Sequence, residues 1–259
     1  MKRPLILVTN DDGISAPGIR NLIRIMNDYG DVIVVAPDGP QSGMGHAITI
    51  EAILRCDKVV IDKGPQEEYA CSGTPVDCVK LAVNQILDRK PDLCVSGVNH
   101  GSNSSINVIY SGTMSAAVEG ALEGIPAIGF SLLDYAHNAD FSEAETYIRK
   151  VTESVLENGM DSGVCLNVNI PKLKETEPIK GIKVCRQSNA NWEEEFEKRI
   201  DPKGKTYYWL TGKFVNYDKG TDTDEWALAN HYVSVVPVQF DMTAYPSISA
   251  LNKILSDDE

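Results

Sequence analysis

The residues in this 259-residue chain that are best suited to chemistry are oxygen-bearing side chains placed just after apolar runs. The set comprises Asp11, Asp12, Ser42 and Asn99. Asn10, Asp11 and Asp12 directly follow Leu5–Thr9, an uninterrupted apolar run typical of a strand that is buried on both faces. Two adjacent carboxylates repel each other, so ionising both is costly unless a cation lies between them.

Hard oxygen donors of this kind suit Mg²⁺, Mn²⁺ or Ca²⁺ and do not suit zinc. The sequence therefore predicts a divalent-cation site beside Asp11 and Asp12. The alternative is a purely structural role, in which Asp12 and Gly13 form a turn and Asp11 caps the next helix.

A second candidate site lies at Ser111, Gly112 and Thr113, where a helix rich in alanine and glycine begins. Exposed backbone N–H groups and hydroxyls at a helix start bind anions, and the helix dipole favours negative charge there. The alternative is that Ser111 or Thr113 only caps the helix.

Two histidines, His46 and His100, are candidates for lining a substrate pocket. His100 lies in the loop after the run 92–96, where it could donate a proton to a leaving group or hydrogen-bond the loop backbone. His46 lies at the end of the glycine-rich loop that contains Ser42. Neither belongs to a pair with metal-ligand spacing such as H-x-x-x-H.

Alternating strand and helix patterns over the first 170 residues must position these side chains. The clearest predicted strands span residues 5–9, 32–36, 92–96, 127–131 and 164–169, and the predicted helices span 17–29, 74–87, 113–123 and 142–158. This repetition predicts an α/β fold, with a mostly parallel sheet and helices on both faces. Ligands bind beyond the carboxyl ends of the strands in such sheets, which is where the candidate residues lie.

The pattern changes after Pro171, where strand-like segments follow one another with no helix predicted before residues 247–255. We interpret this part as an antiparallel extension, an arm of the kind that packs on another subunit. The acidic run 192–195 within it is predicted to be a solvated helical turn. The expected organisation is a core at residues 1–170 carrying the site and a β-rich extension with a C-terminal helix at 171–259.

Composition and charge exclude several classes of partner and location. The chain is 42% hydrophobic and 24% charged, as is usual for globular proteins. It has 24 basic and 37 acidic residues with no basic cluster, which argues against a nucleic-acid polymer as a stable partner. No apolar run is long enough for a membrane span or a signal peptide, and six cysteines form no C-x-x-C pair. We therefore expect a cytoplasmic protein with reduced, buried thiols and no membrane contact.

Longer motifs extend these short patterns along the chain. They are ILVTNDDGISAPG at 6–18, VAPD at 35–38 with SG at 42–43, SGTPVDCV at 72–79, PDLCVSGVNHG at 91–101, and YSGT at 110–113 with EGA at 119–121. In this order they resemble the SurE family of stationary-phase survival proteins, and the resemblance covers residues 4–245. Members of that family are divalent-metal-dependent 5′/3′-nucleotidases, so the resemblance implies hydrolysis of nucleoside monophosphates.

The resemblance also implies roles for particular residues. It implies that Asp11, Asp12, Ser42 and Asn99 hold one divalent cation per subunit, Mg²⁺ or Mn²⁺, with Ca²⁺ a possible substitute in crystals. It implies that Asn103 and the turn formed by Ser111, Gly112 and Thr113 bind the substrate phosphate. The fold it implies is Rossmann-like with a C-terminal swapped arm, assembled as a homodimer or homotetramer.

Phosphomonoester hydrolysis is the reaction predicted from this combination. Asp11 and Asp12 would hold a cation that offsets the charge developing on the phosphate. Asp11 or Asn10 would orient an attacking water, or Asp11 itself would form an aspartyl-phosphate. Sequence does not separate these routes.

Two further classes stay open as alternatives. The first is a non-catalytic, Mg²⁺-dependent nucleotide- or phosphate-binding protein, or a receiver-like regulatory protein. A receiver needs a lone aspartate at the end of a central strand, where this chain has Ser96, Gly97, Val98 and Asn99. The second is a phosphatase of the haloacid-dehalogenase type, which needs D-x-D after the first strand, where this chain has Asn10, Asp11 and Asp12.

Overall fold

The strands of the protein carry its longest apolar runs. The computed structural model describes residues 3–136, 139–172 and 177–255. The strands in these ranges are β1 (Leu5–Thr9), β2 (Asp31–Pro37), β3 (Cys56–Val59), β4 (Glu67–Cys71), β5 (Leu93–His100), β6 (Ala127–Leu132), β7 (Val164–Ile170), β8 (Ile182–Val184), β9 (Ala190–Ile200), β10 (Thr206–Asn216) and β11 (Val233–Gln239).

Among the described residues, nine strands form one sheet in the order β3-β4-β2-β1-β5-β6-β7-β11-β8. The strands from β4 to β7 in this order run parallel to one another, and β3 and β11 pair antiparallel to their neighbours β4 and β7. β9 and β10 form a separate antiparallel hairpin. The predicted α/β class, with a mostly parallel sheet and an antiparallel extension, is confirmed.

Helices cover both faces of the sheet. The helices in the described ranges are α1 (Pro17–Met26), α2 (Pro75–Leu81), α3 (Gly112–Leu122), α4 (Ser142–Asn158), α5 (Asp224–Ala229) and α6 (Tyr245–Leu255). Side chains alternate across β1, so Ile6 and Val8 pack with α1 and α4, whereas Leu7 packs with α2 and α3. Two apolar layers therefore hold the parallel strands in place.

Local signals in the sequence fix where α2 begins. Thr74 accepts a hydrogen bond from the Asp77 backbone N–H, and the Asp77 side chain accepts one from the Thr74 N–H. This capping box, with Pro75 at the first helical position, satisfies donors that would otherwise lack partners. A π-helical segment, Ala82–Ile86, continues α2 and accounts for the longer predicted helix.

The region after Ile170 differs from its prediction in two places. The acidic run 192–195 is part of strand β9 and not a helical turn, because it pairs along its length with β10, where Glu193 faces Lys213. A short helix, α5, interrupts the predicted strand series and begins at a Thr223 cap. β8 and β11 lie after residue 170 and are part of the main sheet. The division of the chain into a core and an extension at residue 170 stays a prediction.

The cysteines also depart from expectation. Cys56 on β3 and Cys71 on β4 lie directly opposite each other in the antiparallel register and are joined by a disulfide, with their Cα atoms 4.2 Å apart. The expectation of six reduced thiols is wrong for this pair, because the pairing of β3 with β4 brings the two cysteines together and the sequence around each cysteine does not show that pairing. Cys78, Cys94, Cys165 and Cys185 are free and buried.

None of the helices in the described part of the chain combines the length and the apolar character needed to cross a membrane.

Candidate functional site

The carboxyl ends of β1 and β5 bring the first group of candidate residues together. The two strands are neighbours, and Thr9 pairs with Ser96 at their last shared position. The chain then continues to Asp11 on one strand and Asn99 on the other. A Cβ added at Gly18 would lie 1.9 Å from the Val98 carbonyl oxygen, so a glycine is needed for α1 to approach the end of β5 this closely. The strand ends therefore form one edge, as the sequence predicts.

Asp11 is the best-anchored residue at this edge. Its side chain is buried, and the Thr113 hydroxyl donates a hydrogen bond of 2.5 Å to Asp11 Oδ1. Burial raises the pKa of the Asp11 carboxyl to about 6, the Thr113 bond opposes that rise, and the charge of Asp12 adds to it. Neighbouring positive charge would reverse this effect and favour the carboxylate.

Asp12 and Asn10 provide oxygens with no protein partner. Asp12 Oδ2 and Asn10 Oδ1 are buried and accept no hydrogen bond within the described ranges, although Asn10 Nδ2 donates to the Gly13 carbonyl at 2.9 Å. Burial raises the pKa of Asp12, and nearby His100 opposes that rise. Buried acceptors are rarely left without a partner, so these two atoms are available to a ligand.

Ser42 lies in a loop beside β1, and Asn99 lies at the carboxyl end of strand β5. The Gln41 backbone N–H donates to the Asp11 carbonyl at 2.7 Å, which places the next residue, Ser42, beside β1 in an exposed position. The Asn99 side chain is half-buried, and its Nδ2 donates to the Gly101 carbonyl at 3.0 Å, which leaves Oδ1 as its acceptor for a ligand.

These four residues fit a hard divalent cation. They provide two carboxylates, an amide oxygen and a hydroxyl, the oxygen donors that Mg²⁺ and Mn²⁺ take. Across residues 3–136, 139–172 and 177–255, no group of three or more His, Cys, Asp or Glu side chains forms a metal site. A cation at this edge would therefore depend on the neutral oxygens of Ser42 and Asn99 as well as on the carboxylates.

The start of α3 lies against Asp11. Ser111 caps the helix by accepting from the Met114 backbone N–H at 3.0 Å, so the capping alternative is correct for its hydroxyl. A Cβ at Gly112 would lie 2.6 Å from the Asp11 Cβ, so a glycine is needed for the helix start to lie this close to Asp11. The Thr113 hydroxyl and backbone both bond to Asp11. An anion at this helix start would therefore rely mainly on the Gly112 backbone.

Asn103 is fixed by a buried network that sequence reasoning did not identify. Its backbone N–H donates to Asn169 Oδ1 at 2.8 Å, and its carbonyl accepts from Asn167 Nδ2 at 2.7 Å. Its side-chain Nδ2 donates to Ser131 Oγ at 2.8 Å. The signal for this network was present as two asparagines alternating within the otherwise apolar strand β7. The network holds Asn103 at the end of β6 and β7.

The two histidines have different neighbours. His46 Nε2 lies 2.9 Å from Glu119 Oε2, and the same buried carboxylate accepts a hydrogen bond from Lys80 at 2.5 Å. This arrangement ties the Ser42 loop to α3. His100 lies near Asp12 and makes an edge-to-face contact with Phe141, with the ring centroids 5.3 Å apart. Only His100 therefore lies directly beside the acidic pair.

Comparison with known proteins assigns the family. The family described as survival protein SurE matches residues 6–194. The protein named 5′-nucleotidase SurE from Flavobacterium psychrophilum is 69% identical over 252 residues, which cover 97% of this chain and 98% of the relative. The one from Cytophaga hutchinsonii is 58% identical, over 98% of this chain and 97% of the relative. The crystal structure of the SurE protein from Aquifex aeolicus has a TM-score of 0.83 and 40% identity, covering 97% of this chain and 99% of that one. This chain belongs to the SurE family.

Proposed function

We propose that this protein is a 5′-nucleotidase that hydrolyses nucleoside 5′-monophosphates with the help of one divalent cation. The observation that carries the proposal is the pair Asp11 and Asp12, whose buried edge includes unpartnered oxygens and lies against the start of α3. The relatives named 5′-nucleotidase SurE support the same reaction, since they match almost the whole chain.

Asp11, Asp12, Ser42 and Asn99 are the residues that would hold the cation, Mg²⁺ or Mn²⁺. A divalent cation bound there supplies Lewis-acid stabilisation of the charge that develops on the phosphate. Thr113 keeps the Asp11 carboxylate in one orientation through its hydroxyl. This fixed geometry matters because a misplacement of only about 1 Å can lower a rate by roughly 100-fold.

The phosphate would lie between the acidic pair and α3. The Gly112 backbone and Asn103 are its proposed donors. Ser111 and Thr113 hold the turn that presents the Gly112 backbone. Asn10 and Asp11 would orient an attacking water, and the free Asn10 Oδ1, which has no partner in the described part of the chain, supports this role. Hydrolysis of 3′-nucleotides and a cytoplasmic location remain predictions.

We also propose that the protein assembles as a homodimer or homotetramer through its C-terminal arm. All eleven residues of α6 are exposed, as is most of the β9–β10 hairpin. Large exposed apolar patches mark interaction surfaces, and a second copy would cover them.

The test of the proposed reaction is phosphate release from a panel of 5′- and 3′-nucleoside monophosphates. We expect release from the 5′-nucleotides with added Mg²⁺ or Mn²⁺, its loss after EDTA, and its return when excess metal is added. Circular dichroism before and after EDTA controls for folding. A folded protein that releases no phosphate with any metal would contradict the proposal and favour the binding or receiver-like alternative.

A further inference from the structure

An open cavity of about 510 Å³ lies between the loop before α3 and the β9–β10 hairpin. Its lining combines aromatic, aliphatic and acidic side chains: Tyr110, Trp192, Glu194, Leu210, Thr211 and Gly212. None of these residues has a role in the metal or phosphate site described above. The volume is within the range of small-molecule pockets, about 300–1,000 Å³.

The cavity begins where the proposed phosphate site ends. Tyr110 is two residues before Gly112, which contacts Asp11, and two trans peptides span at most about 7.6 Å. The Tyr110 carbonyl also accepts a hydrogen bond from the Gly45 N–H at 3.2 Å, in the loop that contains Ser42. The remainder of a molecule with its phosphate at Gly112 would therefore be within reach of this cavity.

The hairpin side of the cavity is held rigidly. Trp192 Nε1 donates to Asn107 Oδ1 at 2.8 Å, and the indole makes an edge-to-face contact with Phe214, with centroids 5.5 Å apart. The Ser105 hydroxyl donates to the Ala190 carbonyl at 3.1 Å, which fastens the start of β9 to the loop that precedes Tyr110. The Trp192 ring is thus oriented before any ligand arrives.

The two aromatic residues are bulky apolar groups left open to solvent. Trp192 is 43% exposed and Tyr110 is 51% exposed. Aromatic side chains stack on nucleobases, because every base has a π-face. Glu194 would repel a phosphate from this end and accept a hydrogen bond from a base N–H. The charge distribution therefore orients a nucleotide with its phosphate toward α3 and its base toward the hairpin.

We propose that this cavity is the nucleobase subsite, in which Trp192 and Tyr110 contact the base of a nucleoside monophosphate. The inference rests on the proposed function, because it assigns the other end of the same substrate. It makes the hairpin part of substrate recognition.

The test compares AMP with ribose 5-phosphate, which has the same sugar phosphate and no base. We expect the KM for AMP, relative to that for ribose 5-phosphate, to rise on the order of tenfold in Trp192→Ala and in Tyr110→Ala. Trp192→Phe keeps an aromatic ring and should leave the ratio close to that of the wild type. Trp209→Ala is the matched control, because Trp209 is an exposed tryptophan of the same hairpin that does not line the cavity. Light scattering checks that this variant keeps the wild-type mass.

The outcomes separate the subsite from the reaction itself. An unchanged KM ratio in both alanine variants, with phosphate still released, overturns the subsite and leaves the proposed function standing. An equal rise in Trp209→Ala also overturns it, because the effect would then belong to the hairpin as a whole. No release from either substrate by the wild type contradicts the proposed function and the subsite with it. Calorimetry adds a readout independent of turnover: adenosine should bind the wild type more tightly than Trp192→Ala.

Discussion

At the scale of single residues, the site is organised around Asp11. Its carboxyl is buried against α3 and accepts a hydrogen bond from the Thr113 hydroxyl. The next residue, Asp12, is a second acid. Both burial and the charge of Asp12 raise the pKa of Asp11, which disfavours two carboxylates side by side in the absence of positive charge. The arrangement is costly to the folded protein and useful for holding a cation. Strained or destabilised groups of this kind are typical of functional sites.

The Thr113 hydroxyl gives a test at this scale. Thr113→Val keeps the shape of the side chain and removes the hydrogen bond to Asp11. A hydrogen bond to a charged group is worth about 1.5–3 kcal/mol, so we expect phosphate release from a 5′-nucleotide to fall by roughly 10- to 100-fold. Thr113→Ser retains the hydroxyl and should keep most of the activity. Equal activity in Thr113→Val and the wild type would exclude a positioning role for this bond.

At the scale of elements, the sequence predicts most of the parallel strands of the main sheet. It does not predict every strand that pairs with them. β1 was predicted at its observed limits, because burial on both faces leaves an uninterrupted apolar run. β4 was missed, because Glu67 and Glu68 interrupt its pattern. Glu68 is buried there and pairs at 2.7 Å with Arg20 of α1, a contact between distant parts of the chain.

The candidate site also contains some residues that the sequence predicts and others that it does not. The sequence could predict that Asp11, Asp12 and Asn99 lie at the carboxyl ends of parallel strands, where ligands bind in such sheets. Asn167 and Asn169 were not assigned, since their role depends on which loop packs above β7. The sequence does not predict the cavity beside Trp192, because residues 192–195 are predicted to form a solvated helical turn and instead belong to strand β9. Long-range packing, which local patterns do not encode, explains each omission.

The close approach of α3 to β1 gives a test at this scale. Gly112→Ala would place a Cβ 2.6 Å from the Asp11 Cβ, so the helix start or Asp11 must move. We expect activity to fall on the order of 100-fold, as for other small displacements at reacting groups. Gly39→Ala is the matched control, because an added Cβ there meets nothing within 4 Å. Equal effects of the two substitutions on phosphate release would contradict the account.

At the scale of the whole molecule, the hairpin and the last helix of the described chain are largely exposed to solvent. The β9–β10 hairpin exposes large apolar side chains: Phe196, Ile200, Tyr207, Tyr208 and Trp209. α6 has no buried residue at all. An isolated two-stranded hairpin has marginal stability in water, so contact with another subunit would stabilise it. The proposed dimer or tetramer follows from this exposure.

The apolar stripe of α6 tests the assembly. Ile248 and Leu251 are exposed and lie on one face, so replacing both with glutamate should weaken the contact with a second copy. We expect light scattering after size exclusion to give a dimer or tetramer for the wild type and a lower mass for Ile248→Glu/Leu251→Glu. Ala250→Glu, on a different face of the same helix, should keep the wild-type mass. A monomeric wild type would refute the proposed assembly.

The central claim is that hydrolysis depends on a divalent cation held by the acidic pair at the end of β1. The most direct measurement is phosphate release from a 5′-nucleotide by metal-depleted protein as Mn²⁺ is titrated back, for the wild type and for Asp12→Asn in parallel. The account predicts saturable recovery in the wild type and a rate lower by at least about 100- to 1,000-fold in the folded variant at every Mn²⁺ concentration. Full activity in the metal-depleted wild type, or matching recovery curves for both proteins, would contradict it.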